Sequence, residues 1–331
     1  MNITVIGAGA WGTALAISLS QRHRTTLWGR DEVQIAAMRD ARCNRRYLPD
    51  AGLPESLLLS SNLAEALAGA GLLILAVPIS ALRTTLGKVS GHGVQDVIWL
   101  CKGLELQTSM LPHQVAEQVL PEGFRCGVLS GPSFAQEVAR GLPTALVLAS
   151  KDEEFAQRAA QMLHHPRLRI YASNDIVGVE VGGAVKNVMA IAAGVSDGMK
   201  LGSNARAALI TRGLAEISRL GMRLGGRAET LGGLSGAGDL ILTCTGDMSR
   251  NRRVGLMLAE GRNLDEILGE IGHVAEGVYA VREVHELAAR LGVDMPICEA
   301  VYRVLYEHVP AREMVDYLLN RATSLEFVQY H

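Results

Sequence analysis

Residues 2–16 read NITVIGAGAWGTALA, a β-branched run that ends on Gly7, Gly9 and Gly12 at the spacing G-x-G-x-x-G and continues as small apolar residues. Each glycine has its own reason in a strand–turn–helix unit that binds a dinucleotide. Gly7 permits the tight turn, Gly9 lets backbone approach a pyrophosphate, and Gly12 allows the helix to pack closely on the strand. The phosphates then sit on free N–H groups at a helix N-terminus. The bare triplet recurs in loops that bind nothing. Here it follows a strand-like run at 3–6, and Ala14, Leu15, Ala16, Ile17 and Leu19 supply apolar positions for the next helix.

In such a unit the second strand ends on an acidic residue about 20 positions after the glycines, which bonds the ribose 2′-OH of NAD. Here the strand at 25–28 runs into Gly29, Arg30 and Asp31. Arg30 suits a 2′-phosphate, since a guanidinium pairs well with phosphate oxygens, whereas Asp31 would repel one. The balance favours NADP over NAD; an ordinary solvated arginine is the plainer reading of Arg30.

Working outward, strand-like runs at 3–6, 25–28, 72–77, 97–101, 125–129 and 144–149 alternate with helical patterns. This alternation predicts a doubly wound, mostly parallel α/β sheet of Rossmann type with helices on both faces. Ligands bind outside the carboxyl ends of such strands, in loops that here hold Pro78, Lys102-Gly103 and the stretch 130–133. From about Asn174 the pattern changes to long helical stretches at 175–195, 204–224, 252–260, 264–271 and 278–291. The expected division is a dinucleotide-binding domain over 1–173 and a mainly α-helical substrate domain over 174–331, with substrate in the cleft between them.

A chain of 331 residues with 48% apolar content has room for two cores, and 32 basic against 34 acidic residues give no field for a nucleic-acid partner. Five widely spaced cysteines, Cys43, Cys101, Cys126, Cys244 and Cys298, contain no C-x-x-C pair and read as reduced thiols rather than a disulfide framework or zinc site. His164 and His165 are adjacent, so regular structure would point them apart, and no metal is expected. The sequence opens directly on a strand with no leader-like segment, and no apolar run approaches about 18 residues. A cytoplasmic protein without stable membrane insertion is expected.

Three segments place polar residues where packing would prefer apolar ones. Lys186-Asn187 interrupts the small, apolar stretch 182–190. A lysine buried there has its charged form disfavoured, which brings its pKa toward the range useful for proton transfer, whereas one at a helix edge simply snorkels. In LSGAGDLILTC at 234–244, Asp239 and Thr243 share a face if the stretch is helical, and Ser249, Arg250 and Asn251 follow. A forked cation and an amide suit a phosphorylated substrate; a glycine-rich turn with a solvated basic run is the alternative. Lys102 directly follows a buried strand, as a second cation for substrate or as a loop lysine.

Together these segments resemble the NAD(P)-dependent glycerol-3-phosphate dehydrogenases, bacterial type. The resemblance runs through GAGAWGTALA, LWGRD, NRRYLP at 44–49, AVP at 76–78, CKGLE at 101–105, SGPSFAQEV at 130–138, KNVMAI at 186–191, GLSGAGDLILTC at 233–244 and SRNRRVG at 249–255. It implies that Lys186 is the general acid/base and that Lys102, Gly131, Ser133, Asn187, Asp239, Thr243, Ser249, Arg250 and Asn251 surround the substrate. On the cofactor side it implies Gly7, Gly9, Ala10, Trp11, Gly12, Arg30, Lys102, Ala135, Arg250, Val274 and Glu276. Ala10-Trp11 departs from the serine and aromatic residue that relatives often carry, and Arg30 stands where His or Arg occurs. The implied reaction is reduction of dihydroxyacetone phosphate to sn-glycerol 3-phosphate for phospholipid synthesis, with NADPH preferred, NADH as the alternative and a homodimer expected. A β-hydroxyacid dehydrogenase, or a sensor that binds NADPH without chemistry, are the rival readings.

Overall fold

A computed structural model of the protein describes residues 1–271 and 275–321. Ten strands and seven helices alternate up to Ser173. In chain order they are β1 Asn2–Ile6, α1 Ala10–Leu19, β2 Arg24–Trp28, α2 Glu32–Ala41, β3 Cys43–Asn44, β4 Leu48–Gly52, β5 Leu58–Ser60, α3 Leu63–Leu67, β6 Leu72–Leu75, α4 Ile79–Val89, β7 Asp96–Trp99, α5 Pro112–Val119, β8 Arg125–Ser130, α6 Ala135–Ala139, β9 Thr144–Ala149, α7 Glu153–Leu163 and β10 Leu168–Ser173. Helices follow: α8 Ile176–Gly198, α9 Ser203–Arg223, α10 Ala228–Leu231, α11 Asp239–Thr245 after a π-helical turn at Leu234–Gly238, α12 Arg250–Ala259, α13 Leu264–Ile271, α14 Glu276–Leu291, α15 Pro296–Tyr306 and α16 Ala311–Leu319.

The main sheet has the order β10-β9-β8-β7-β6-β1-β2-β5 and is parallel except where β8 meets β9. Central strands such as β6 and β7 are buried at every position, which is why they stand out as continuous apolar runs. They are shorter than expected. β6 stops at Leu75 because its neighbour β1 turns away at Gly7, leaving Ala76 only one further ladder bond, to the Ile6 carbonyl; β7 makes one ladder bond beyond Trp99, from Leu100 N to Leu75 O. Two sheet strands escape the apolar-run reading: β5 is three residues long, and edge strand β10 alternates buried Leu168 and Ile170 with exposed Arg169 and Tyr171. The β3–β4 hairpin is pinned to the glycine loop by Asn44, whose Nδ2 donates to Ala8 O at 3.0 Å and Thr13 Oγ1 at 2.8 Å.

Helix α8 organises the second half. It is the one described helix long and apolar enough to cross a membrane, yet 94% of that window is buried inside the protein. Its small residues let other backbones come within contact. A Cβ on Gly194 would lie 2.0 Å from Arg252 O, and one on Gly255 would lie 2.0 Å from Ile191 O. This crossing seats the first turn of α12, with Arg250 and Asn251, over the middle of α8. The first turn of α12 begins two residues earlier than the apolar pattern suggests, because the Ser249 hydroxyl caps it by accepting from Arg252 N at 3.3 Å.

The crossing predicts opposite effects for two glycines. Gly255→Ala overpacks backbone against backbone and should cost about 1–3 kcal/mol. Gly269→Ala, on exposed α13 with nothing near its Cβ, should stabilise by up to about 1 kcal/mol. Chemical denaturation of the two variants reads both signs.

Candidate active site

The glycine loop is shaped for an anion. Gly7 has φ +117°, and a Cβ there would lie 2.4 Å from Ala76 O, so neither the turn nor the sheet tolerates a side chain. Helix α1 starts after Gly9 with no side-chain cap, and the first intrahelical bond is Thr13 N to Gly9 O at 3.0 Å. The N–H groups of its first turn, at Ala10, Trp11 and Gly12, therefore lack intrahelical acceptors. The space over Gly9 is open, while a Cβ on Gly12 would collide with Gly7 O at 2.1 Å. A pyrophosphate fits this cradle. At the end of β2, Arg30 is exposed and has no partner among the described residues, whereas Asp31 Oδ1 accepts from Gln34 N at 3.1 Å as the cap of α2.

On the other side, Lys186 lies on α8 with 6% of its surface exposed. Its Nζ donates to Asp239 Oδ1 and, at 3.0 Å, to Thr243 Oγ1. Asp239 and Thr243 do share a face of α11, and the Thr243 hydroxyl donates to Asp239 O at 2.6 Å. The second carboxylate oxygen of Asp239 takes Lys102 Nζ at 2.5 Å. Two ammonium groups thus flank one buried carboxylate. No spacing in the sequence announces this, since the three residues come from the end of β7, from α8 and from α11.

The electrostatics follow from burial and from that crowding. Burial, with help from the Lys102 charge, brings the Lys186 pKa down to about 8 against the opposing pull of Asp239. Burial pushes the Asp239 carboxyl up, but the two ammonium groups outweigh it and hold the group below its ordinary range. Glu276, at the start of α14, feels the charges of Lys102, Arg250 and Lys186, which places all three cations around it; burial nonetheless raises its pKa.

The remaining expected residues divide by what they already do. Gly131 (φ +135°) ends β8, and its carbonyl accepts from the Ser133 hydroxyl at 3.0 Å and faces Lys102 Nζ at 3.5 Å. Ala135 opens α6, which packs against α1. Asn251 Nδ2 donates to Asn187 Oδ1, and Asn251 Oδ1 accepts from Gly277 N, both at 3.0 Å, so its amide joins α8, α12 and α14. Ser249 serves as a cap, and Arg252 is consumed by Asp197 at 2.7 Å and Asp247 at 3.0 Å. Arg250 is exposed with no partner among the described residues. Of the basic run, Arg250 and Arg253 both stay exposed without a partner among the described residues, and Arg250 is the one whose charge reaches Glu276. Val274 lies outside the described residues. Ser130, in the stretch 130–133 where chemistry is expected but with no role assigned to it, has a buried hydroxyl without a partner and close to the Lys102 side chain: Ser130 Oγ and Lys102 Cγ approach a Cβ built on Gly183 to 3.3 and 3.4 Å.

Comparison with known proteins gives the family. Residues 2–156 match the N-terminus, and residues 175–316 the C-terminus, of NAD-dependent glycerol-3-phosphate dehydrogenase. A glycerol-3-phosphate dehydrogenase (NAD(P)+) of Nitrosomonas europaea is 59% identical over 327 residues, covering 98% of this chain and 99% of that protein. One from Thiobacillus denitrificans is 58% identical over 328 residues, covering 99% and 100%. Among solved structures, glycerol-3-phosphate dehydrogenase from Coxiella burnetii superposes with a TM-score of 0.92 at 42% identity, covering 97% of this chain and 99% of that one. D-mandelate dehydrogenase with NADH, at 16% identity and a TM-score of 0.59, shares the fold alone. The protein belongs to the NAD-dependent glycerol-3-phosphate dehydrogenase family.

Proposed function

We propose that the protein reduces dihydroxyacetone phosphate to sn-glycerol 3-phosphate, reversibly, with NADPH preferred and NADH as the alternative, and so supplies phospholipid synthesis. The observation that carries this reading is the Lys186 ammonium held by Asp239 and Thr243, with Lys102 on the same carboxylate. When bound on the glycine cradle, the reduced nicotinamide supplies a hydride to C2 of the ketone. Lys186 gives a proton to the carbonyl oxygen as negative charge builds there, becomes a neutral amine, and is recharged from solvent. Two of its N–H groups are engaged by Asp239 and Thr243, so the third is the one offered to substrate. Asp239 fixes the direction of that amine and stays ionised. Lys102 adds positive potential at the carbonyl, and Arg250 grips the phosphate, turning remote binding into alignment of C2.

Arg30 supports the preference for NADPH. Gly131 and Ser133 form the substrate wall at the end of β8, and Asn187, Ser249 and Asn251 support it from α8 and α12; Ala135, Val274 and Glu276 are assigned to the cofactor side. We divide the chain into a nucleotide-binding domain, 1–173, and a substrate domain, 174–331. A cytoplasmic homodimer without stable membrane insertion completes the proposal, and sedimentation of the purified protein tests the dimer.

The reaction is tested by loss of reduced-nicotinamide absorbance with dihydroxyacetone phosphate, run in parallel with NADPH and NADH. Turnover is expected with both and faster with NADPH; no turnover despite cofactor binding overturns the reading. Lys186→Ala should lose about 10²–10⁴-fold in kcat while still binding cofactor. Arg250→Ala, which breaks no internal bond, should raise KM for the phosphorylated substrate about 10–100-fold, the loss of a charged hydrogen bond of about 1.5–3 kcal/mol. The pH dependence has a definite sign. An acid must carry its proton, so kcat/KM for ketone reduction should fall as pH rises through about 8, while alcohol oxidation, which needs the neutral amine, should rise through the same value. Initial rates in both directions check it.

A further inference from the structure

The segment that carries Lys102 is fastened to the helical half at several points. Trp99, just before it, donates from Nε1 to Glu180 Oε1 at 2.9 Å. His113, at the far end, gives its backbone N–H to the same oxygen at 3.0 Å and places Nδ1 2.6 Å from Glu180 Oε2. Glu180 sits on α8, six residues before Lys186. Between these ends, Leu104 and Leu111 are buried in the helical core. Gln107 and Ser109 hold φ values of +70° and +53° although neither is glycine. Both are gripped by Glu283 of α14, which accepts from Gln107 N at 3.2 Å and from Ser109 Oγ at 2.8 Å. On the sheet side, Glu105 takes both Arg83 donors and the Thr108 hydroxyl, each at 2.8 Å.

This arrangement is expensive as a stability device. Left-handed backbone is strained at a residue that carries a Cβ. Glu283 is 2% exposed and makes no ion pair among the described residues, a burial that costs several kcal/mol and that an apolar side chain would avoid. What the carboxylate does achieve is geometric. Its helix begins with Glu276 and Gly277, and Gly277 is bonded through Asn251 to Asn187, the neighbour of Lys186. Glu283 therefore joins the Lys102 segment to the frame that holds Lys186.

We propose that Glu283 is a positioning residue, which by gripping Gln107 and Ser109 holds the Lys102 segment where both ammonium groups meet on Asp239. It touches neither lysine, and the proposal rests on the assignment of Lys186 and Lys102 given above. Loosening the segment lets Lys102 withdraw. Lys186 then faces Asp239 and Glu276, with the buried thiol of Cys244 nearby, but without the second cation that depresses its pKa.

The test compares E283A, E283Q, S109A and K102A of the full chain, measuring kcat and KM for dihydroxyacetone phosphate, NADPH affinity by fluorescence, thermal midpoint and the pH profile of reduction. E283A is expected to lose about 10–100-fold in kcat, the scale of a misplacement near 1 Å, with NADPH affinity little changed and the alkaline limb moved to higher pH. E283Q, whose amide oxygen still accepts one bond, should recover most of the rate and the original limb. S109A, which removes one donor and leaves the carboxylate in place, should lose a smaller share of kcat with the same direction of pH shift, and it keeps the idea testable if E283A does not fold. Lowered thermal midpoints with unchanged kcat and limb in E283A and S109A would overturn the positioning role and leave Glu283 as packing alone. If K102A itself keeps full kcat and the original limb, the assignment of Lys102 fails, and the proposal with it; a crippled K102A beside a fully active E283A overturns only the proposal.

Discussion

A lysine ammonium inside a helix of small residues is tolerated only if a carboxylate meets it there, and the contact between Lys186 and Asp239 is the constraint around which the helical half is arranged. Without Asp239, Lys186 would be an uncompensated buried charge costing several kcal/mol, whereas Asp239 is also met by Lys102. The contact in turn demands that α11 approach α8 closely. The π-helical turn at Leu234–Gly238 and the lack of a Cβ on Gly182, which would lie 2.6 Å from Ser235 O, meet that demand. The same economy of side chains recurs where α12 crosses at Gly194 and Gly255, and where Gly277 closes on Asn251 and Asn187. Packing and chemistry are thus solved by one device: a helix of little volume that carries Lys186 among its small residues.

The sheet half works by different physics. Its strands are buried on both faces, so the fold is set by continuous apolar runs, and function is confined to the places where those runs stop. Gly7, Lys102 and Gly131 all follow directly on such stops, after β1, close after β7, and after β8.

The two halves also explain what the sequence made legible. The glycine loop, the parallel strands and the long helices are local patterns, readable because burial on both faces or at helical spacing leaves its mark within a dozen residues. Strands β5 and β10 were not readable, because an edge strand buries half its side chains or fewer and looks like loop. At the site, residue types pointed to Lys186, Asp239, Thr243 and Arg250, but not to which were already spent. Asn251 read as a phosphate ligand and the family resemblance put Ser249 at the substrate, yet that amide is committed to three helices and that hydroxyl to a cap. Arg252 belongs to the same basic run as Arg250, yet Asp197 and Asp247 close on it. Such partnerships join residues from separate elements and leave no local mark.

The charges around Asp239 do not cancel. Lys102, Lys186 and Arg250 outnumber the carboxyl groups of Asp239 and Glu276 that feel them, so the charge around the site is net positive. A cleft of that sign draws dianions in from solution, so the encounter rate with a phosphorylated ketone should depend on ionic strength far more than the chemistry that follows. It also makes inorganic phosphate and sulfate competitors by charge alone, and the buffer in which such an enzyme is assayed becomes one of its ligands.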